Sequence, residues 1–189
     1  APQAAALIQD GRTVAVEGAG RLLLSEAICG AIERRFLETG SPRGLTLIQA
    51  CGFGDDGDAG ASHFAHPGLV RRVIAPGWGD SPRMANLALA NQVEAYCFPQ
   101  GIVGQMIWAS ASKTPRVISH VGLGTFVDPR LEGGKLNAAT QEDLVEVVEF
   151  DGREWLAFRV VPIDVAIIRG TTADEFGNIS MEPVSYTHL

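Results

Sequence analysis

The chain has 189 residues, of which 46% are hydrophobic and 20% charged, and carries a formal net charge of -7. This composition is globular rather than disordered, and the length suffices for one large domain with its own core. The negative charge disfavours a nucleic-acid surface, which needs a basic stripe, but leaves anionic small-molecule substrates open.

Pro2 to Ile8 reads as a first helix that Asp10-Gly11 turns into a strand, Thr13 to Glu17, ending at Gly18-Ala19-Gly20. Ser25 is the expected N-cap of a second helix. Glu26 stands at the positive end of its dipole, Ile28, Ala31, Ile32, Phe36 and Leu37 form its apolar stripe, and Gly40 is its stop. Leu45 to Gln49 is the next strand, followed by a Gly/Asp-rich loop, Cys51 to Gly60, too polar to pack as an element. Arg72 to Ala75 is a third strand, and Ser81-Pro82 announces a helix. Glu94 to Phe98 is a fourth strand broken at Pro99-Gln100-Gly101. Ile102 to Ser112 is a helix and Arg116 to Val121 a fifth strand. Asp151-Gly152 predicts a hairpin turn between Glu146–Phe150 and Glu154–Val161, and Asp164 to Arg169 a last buried strand. The alternation predicts an α/β fold, an open and mostly parallel sheet with flanking helices, in one domain.

In such a sheet ligands bind outside the carboxyl ends of the strands. Here those ends are glycine-rich, with Gly18 and Gly20, Gly52 and Gly54, Gly77 and Gly79, Gly101, and Gly122 and Gly124. Glycine lets backbone N–H groups approach a ligand closely. A dinucleotide fingerprint is not met, because its third glycine falls on Leu23 in one candidate and Val127 in the other. No Walker A loop is present.

No metal site is expected. Asp55, Asp56 and Asp58 lack the later glutamate of a calcium loop, and His63 and His66 lack a third ligand. No G-x-S-x-G elbow occurs. Cys29, Cys51 and Cys97 read as small buried hydrophobes in a reducing compartment, and Trp78, Trp108 and Trp155 as core or interface packing. There is no membrane-length apolar run and no basic flank of a signal peptide. Gln100 stands apart. Between a strand-ending proline and a helix, a neutral amide can donate to a carboxylate or carbonyl, or simply serve the loop.

Several long runs resemble the family I coenzyme A transferases, in the right order. They are Gly77-Trp78-Gly79-Asp80-Ser81-Pro82-Arg83, Phe98-Pro99-Gln100-Gly101, Gly122 to Arg130, Gly133-Gly134-Lys135-Leu136-Asn137 and Ile168 to Asp174. The branch is the propionate or acetate CoA-transferase type, which also acts on 3-ketoacids. The resemblance covers residues 1–183 and marks them as the N-terminal, or alpha, half. Val184 to Leu189 departs from the family's acidic, alanine-rich continuation, looks like translated adapter read-through, and is set apart as a non-native tail.

The resemblance implies a ping-pong exchange of CoA between a short-chain acyl-CoA and a carboxylate acceptor, through a glutamyl-CoA thioester. The nucleophilic glutamate would lie in the C-terminal, or beta, half, so no catalytic residue is assigned to this chain and the isolated chain is expected to be inactive. Gln100 is carried over as substrate-binding, with Gly18, Gly20, Gly101, Gly122 and Gly124 as pocket loops. Coenzyme A enters as a thioester substrate, with no permanently bound cofactor. The partners implied are the acyl-CoA and carboxylate substrates, the C-terminal half and further copies in a homo-oligomer, with no nucleic acid and no membrane; the setting is cytoplasmic. Two other readings remain open: a ligand-binding or regulatory domain of related fold, or the alpha subunit of a two-chain enzyme.

Overall fold

The computed structural model describes residues 1–18 and 22–180. Gly20, the expected boundary at Pro183 and the tail 184–189 lie outside the described residues. In chain order the elements are α1 (Pro2–Ala6), β1 (Thr13–Val16), α2 (Glu26–Thr39), β2 (Leu45–Ile48), a 3-10 turn (Gly60–Phe64), β3 (Val70–Ala75), α3 (Pro82–Leu89), β4 (Glu94–Cys97) and α4 (Gln100–Ala111). There follow β5 (Arg116–Ser119), β6 (Val145–Phe150), β7 (Arg153–Arg159), β8 (Val165–Ile167), β9 (Thr172–Ala173) and β10 (Ile179–Ser180).

Five strands form a parallel sheet in the order β4-β3-β2-β1-β8. Its central strands are near-continuous apolar runs, Thr-Val-Ala-Val in β1 and Leu-Thr-Leu-Ile in β2, because both faces are covered. Successive side chains feed opposite layers. Val14, Leu47, Val73 and Ala95 pack under α2, α3 and the 3-10 turn. Ile48, Ile74 and Tyr96 pack with Ile102, Val103 and Met106 of α4 and with Val117, Leu156 and Phe158 of a second, antiparallel sheet, β5-β7-β6. The fold class expected from the sequence is the one observed. The fifth predicted strand, however, does not join the parallel sheet: β5 pairs antiparallel with β7, from Arg116↔Arg159 to Ser119↔Leu156.

Local signals account for several junctions. Gly40 ends α2 in the left-handed region (φ 72°) and its N–H donates to the Phe36 carbonyl at 2.7 Å. Asp151 and Gly152 both have positive φ (53° and 71°), as a two-residue hairpin between β6 and β7 requires. The Gly133–Asn137 run shields the outer edge of β4. Cys97 N–H donates to the Gly134 carbonyl (2.8 Å) and Leu136 N–H to the Ala95 carbonyl (2.9 Å). Asn137 Nδ2 then ties this run to the carbonyls of Ala88 (2.7 Å) and Val93 (2.8 Å).

The two expected serine caps occupy their positions without capping. Ser25 precedes α2, but with ψ at 55° its hydroxyl makes no cap bond and finds no partner among the described residues. Ser81 precedes α3, and its hydroxyl meets the buried Ser62 hydroxyl at 3.1 Å instead. The Cys51–Gly60 loop is irregular as expected; Phe53 is buried within it, while Asp56 and Asp58 are exposed. Of the three tryptophans, Trp108 is not a core residue; it is 75% exposed on α4.

Candidate active site

Because the sheet is parallel, β1, β2, β3, β4 and β8 all present their carboxyl ends at one edge. The chain adds β2, β3 and β4 to one side of β1 and places β8 on the other, so the strand order reverses between β1 and β8. Such a switch point leaves a crevice where the loops diverge. A pocket of about 570 Å³ lies there. Ala15 to Gly18 line it from β1, Ala166 to Ile168 from β8, Ala50 and Cys51 from the end of β2, and Leu23 and Ile107 close it. Ile107 comes from α4, which lies on the same face of the sheet.

Gly18 is one of the expected pocket residues and does line the pocket. Its missing side chain is required by packing as well, because a Cβ there would stand 2.2 Å from Phe53 Cδ2. Gly52 and Gly54 answer the same demand from the β3 loop: a Cβ would meet Asp80 Oδ2 at 1.6 Å and the Asp80 carbonyl at 2.1 Å, respectively. The glycines after β1 and β2 thus let three loops nest at this edge.

Gln100 is the first residue of α4 rather than a loop residue, with Pro99 in the N-cap position. Its exposed side chain reaches past the end of β3, and Nε2 donates to Cys51 Sγ at 2.9 Å. Cys51 had been read from sequence as a buried hydrophobe; it is half-buried on the pocket wall. Sulfur is a weak acceptor, so a carboxylate or thioester oxygen can recruit this amide at little cost. The N–H groups of Gln100 and Gly101 open α4 without an intrahelical acceptor, while Ile102 N–H donates to the Pro99 carbonyl at 2.9 Å, and the positive end of the helix dipole lies beside Gln100; the free donors and the dipole favour an anion. Gly101, in the same turn, is exposed and has nothing within 4 Å of where a Cβ would stand.

Gly122 and Gly124 do not line this pocket. They follow β5, on the antiparallel sheet, where the sequence reading had put them on the common edge. Gly124 N–H donates to Asp128 Oδ2 at 2.9 Å, and Gly122 has a φ of 105° with Leu156 and Val127 close above it. Asp128 is buried and also accepts from Arg130 Nε (2.9 Å) and Nη2 (2.8 Å). The Arg130 guanidinium, then the Gly124 N–H, hold the Asp128 carboxyl well below its usual range.

Charges elsewhere near the edge are few. Glu17 Oε2, on the pocket wall, accepts the Arg169 backbone N–H at 3.3 Å. Behind the Cys51–Gly60 loop, His63 touches carboxylates through both ring nitrogens, Glu33 at 2.5 Å and Glu26 at 2.9 Å, and His66 Nε2 meets Glu33 at 2.6 Å. Burial opposes charge on His63, but its bonds to Glu33 and Glu26 outweigh this and raise its pKa. Among the described residues no group of three His, Cys, Asp or Glu could hold a metal, and no helix is long and apolar enough to cross a membrane.

Sequence reasoning missed Glu17, Cys51 and Ile107 as pocket residues. The first two could have been found from their positions at strand carboxyl ends beside glycines. Ile107 could not, because nothing in the helical pattern tells which apolar residue of α4 overhangs the crevice.

The coenzyme A transferase family matches residues 1–185. Caffeate CoA-transferase of Acetobacterium woodii is 46% identical over 182 residues, 96% of this chain and 35% of that protein. Acetate CoA-transferase YdiF of Escherichia coli O157:H7 is 42% identical over 183 residues, 96% of this chain and 34% of that protein. The apoenzyme structure of that acyl-CoA transferase superposes with a TM-score of 0.93, covering 96% of this chain and 35% of that one. The chain therefore spans about a third of the length of the curated relatives it matches. With a family match across nearly its whole length and a fold that follows, this chain belongs to the coenzyme A transferase family.

Proposed function

We propose that residues 1–183 form the N-terminal half of an enzyme that moves CoA between a short-chain acyl-CoA and a carboxylate acceptor. The observation that carries this reading is the amide of Gln100, parked on a weak acceptor at the rim of a pocket at the switch point of the sheet. In the proposed reaction a glutamate of the C-terminal half attacks the acyl-CoA carbonyl, the C–S bond breaks and CoA leaves as thiolate. An acyl-glutamyl anhydride results. The thiolate then attacks the glutamyl carbonyl and the carboxylate leaves, giving a glutamyl-CoA thioester; the acceptor acid runs the steps in reverse. One thioester replaces another, so no ATP is needed, and covalent catalysis divides one hard transfer into easier ones.

In this scheme Gln100 donates to the acyl oxygen as it gains negative charge, and the start of α4 supports that charge. Gly101 leaves room for substrate beside the amide. Gly20, outside the described residues, and Gly122 and Gly124 remain candidates only for contacts made with the C-terminal half in place. The free thiols of Cys29, Cys51 and Cys97 accord with a reducing, cytoplasmic setting.

The test is a CoA-transfer assay with acetyl-CoA or propionyl-CoA and a second carboxylate. The purified chain alone should show no transfer. The completed enzyme, this chain fused at Pro183 to the C-terminal remainder of a full-length relative, should show it. Robust turnover by the chain alone would overturn the half-enzyme reading.

A further inference from the structure

A second depression, of about 650 Å³, lies over the start of α2. Leu24, Ser25, Glu26 and Ala27 line it from the helix start, and Arg169 and Gly170 from the segment after β8. It shares Ile168 with the pocket between β1 and β8, but neither Cys51 nor Gln100 is among the described residues that line it. The helix runs for 14 residues, so its dipole is fully developed. The Ser25 carbonyl accepts the N–H groups of Ile28 (3.2 Å) and Cys29 (3.1 Å), and those of Glu26 and Ala27 have no acceptor among the described residues.

Ser25 is the unusual member of this wall. It is only 9% exposed, and its hydroxyl caps nothing and has no hydrogen-bond partner among the described residues. A buried hydroxyl left unpaired costs stability, and a ligand that accepts from it removes that cost. Arg169 supplies a charge. Its exposed guanidinium donates to the Leu24 carbonyl at 3.2 Å and to nothing else among the described residues, so most of its donors are uncommitted. Glu26, the acidic side chain at this end, is engaged elsewhere: Oε1 accepts the Gly60 N–H at 2.7 Å and Oε2 meets His63 Nε2 at 2.9 Å.

We propose that the start of α2 is a phosphate-binding site, in which Ser25 Oγ, the N–H groups of Glu26 and Ala27 and the Arg169 guanidinium hold a phosphate group. A hydroxyl, a helix start and a guanidinium are three separate donors. A tetrahedral phosphate with three free oxygens meets all of them, whereas the two oxygens of a carboxylate leave one unmet. The group is either the free ion or the phosphate of an ester such as a nucleotide. The site does not depend on the transferase reading of the Gln100 edge.

The experiment follows the thermal midpoint of the purified chain as sodium phosphate replaces sodium chloride at constant ionic strength. The wild type should show a saturable rise of at least about 2 °C. Arg169→Gln should weaken the apparent affinity by about tenfold or more, and Arg169→Lys, which keeps the charge but not the fork, by less. Ser25→Ala should weaken it by about threefold or more, yet leave the phosphate-free midpoint unchanged or higher, because it deletes an unpaired buried hydroxyl. The general salting effect of phosphate acts on all four proteins alike and cancels in the comparison. Adenosine 3′-monophosphate, with adenosine as control, separates the sources: tighter binding than inorganic phosphate assigns the site to an ester, and weaker binding to the free ion. No saturable rise in the wild type, equal affinity in the variants, or a response to adenosine alone would overturn the proposal. So would a phosphate-free midpoint that falls in Ser25→Ala, which would make the hydroxyl a structural group.

Discussion

Two glycine-rich regions of this molecule look alike in sequence and behave differently in the fold. At the parallel edge, Gly18, Cys51 and Gln100 come from three separate strand ends, and the Gln100 amide donates to the Cys51 thiol. In the Gly122–Arg130 loop the polar groups are spent on the loop itself. Gly124 N–H and Arg130 both go to Asp128, and Thr125 Oγ1 donates to the Gly122 carbonyl at 2.8 Å. The Gly122–Gly124 pair, after a strand of the antiparallel sheet, sits in a loop whose donors are engaged within it, whereas the Gln100 amide at the parallel edge meets a weak acceptor. The Gly122 loop is built to hold the antiparallel sheet's end in one shape; the Gln100 edge is built with a donor in reserve.

The sharpest way to break this contrast is to remove the reserve. In the completed enzyme Gln100→Ala should lower kcat/KM by about one to two decades, the loss of roughly 1–3 kcal/mol for a hydrogen bond left unmade in a partly dry pocket. Gln100→Glu should be worse for carboxylate acceptors because it sets like charges together. Neither should move the thermal midpoint by much. Unchanged kinetics in both would remove Gln100 from the site, and a collapsed melt would make it a structural residue.

Gly18→Ala tests the same edge through packing. The new Cβ meets the Phe53 ring, so the ring or the loop must shift, and overpacking of this kind costs about 1–3 kcal/mol. Urea unfolding of the chain measures it. Gly101→Ala should act the other way. It has open space around it inside α4, and alanine should stabilise the helix by up to about 1 kcal/mol. If substrate uses that space, kcat/KM in the completed enzyme falls even as stability rises; a rise in stability with unchanged kinetics would take Gly101 out of the pocket.

The smallest effects separate the two regions by pH. The Asp128 carboxyl is depressed from its ordinary value of 3.8, so its stabilisation is present above that value and is lost as pH falls through the lower folded one. His63 is raised from 6.5, so the clasp behind the Cys51–Gly60 loop is complete below that value and weakens as pH rises through the higher folded one. Urea unfolding across acid to alkaline pH should show Asp128→Asn flattening the acid limb and His63→Gln the alkaline limb. A shared effect of either variant on both limbs would mean the two regions are not independent.

The sequence by itself determined the layers of this protein and the edge where its candidate site lies. Short β-rich runs alternate with helical stretches, and a helix between strands carries the chain back to start a parallel neighbour, which is why a parallel sheet was legible. The Asp151-Gly152 turn and the Gly40 stop were legible because their backbone angles depend on the residues themselves. The length and order of the family motifs carried the resemblance, and with it the interest in Gln100. Tertiary structure alone decided the rest. Strand partners are chosen by burial against distant elements, so nothing in Arg116 to Ser119 announced that β5 would leave the parallel sheet and take Gly122 and Gly124 with it. Ser25 and Ser81 are good caps by composition, yet their hydroxyl directions were set by the packing of loops around them. Cys51 reads as a core residue in isolation and becomes a pocket wall because β2 ends beside β1, which pairs with β8 on its other side, at the same edge of the sheet. The pocket itself exists because β8 returns to pair with β1, which brings Ile167 beside Val16 across most of the chain.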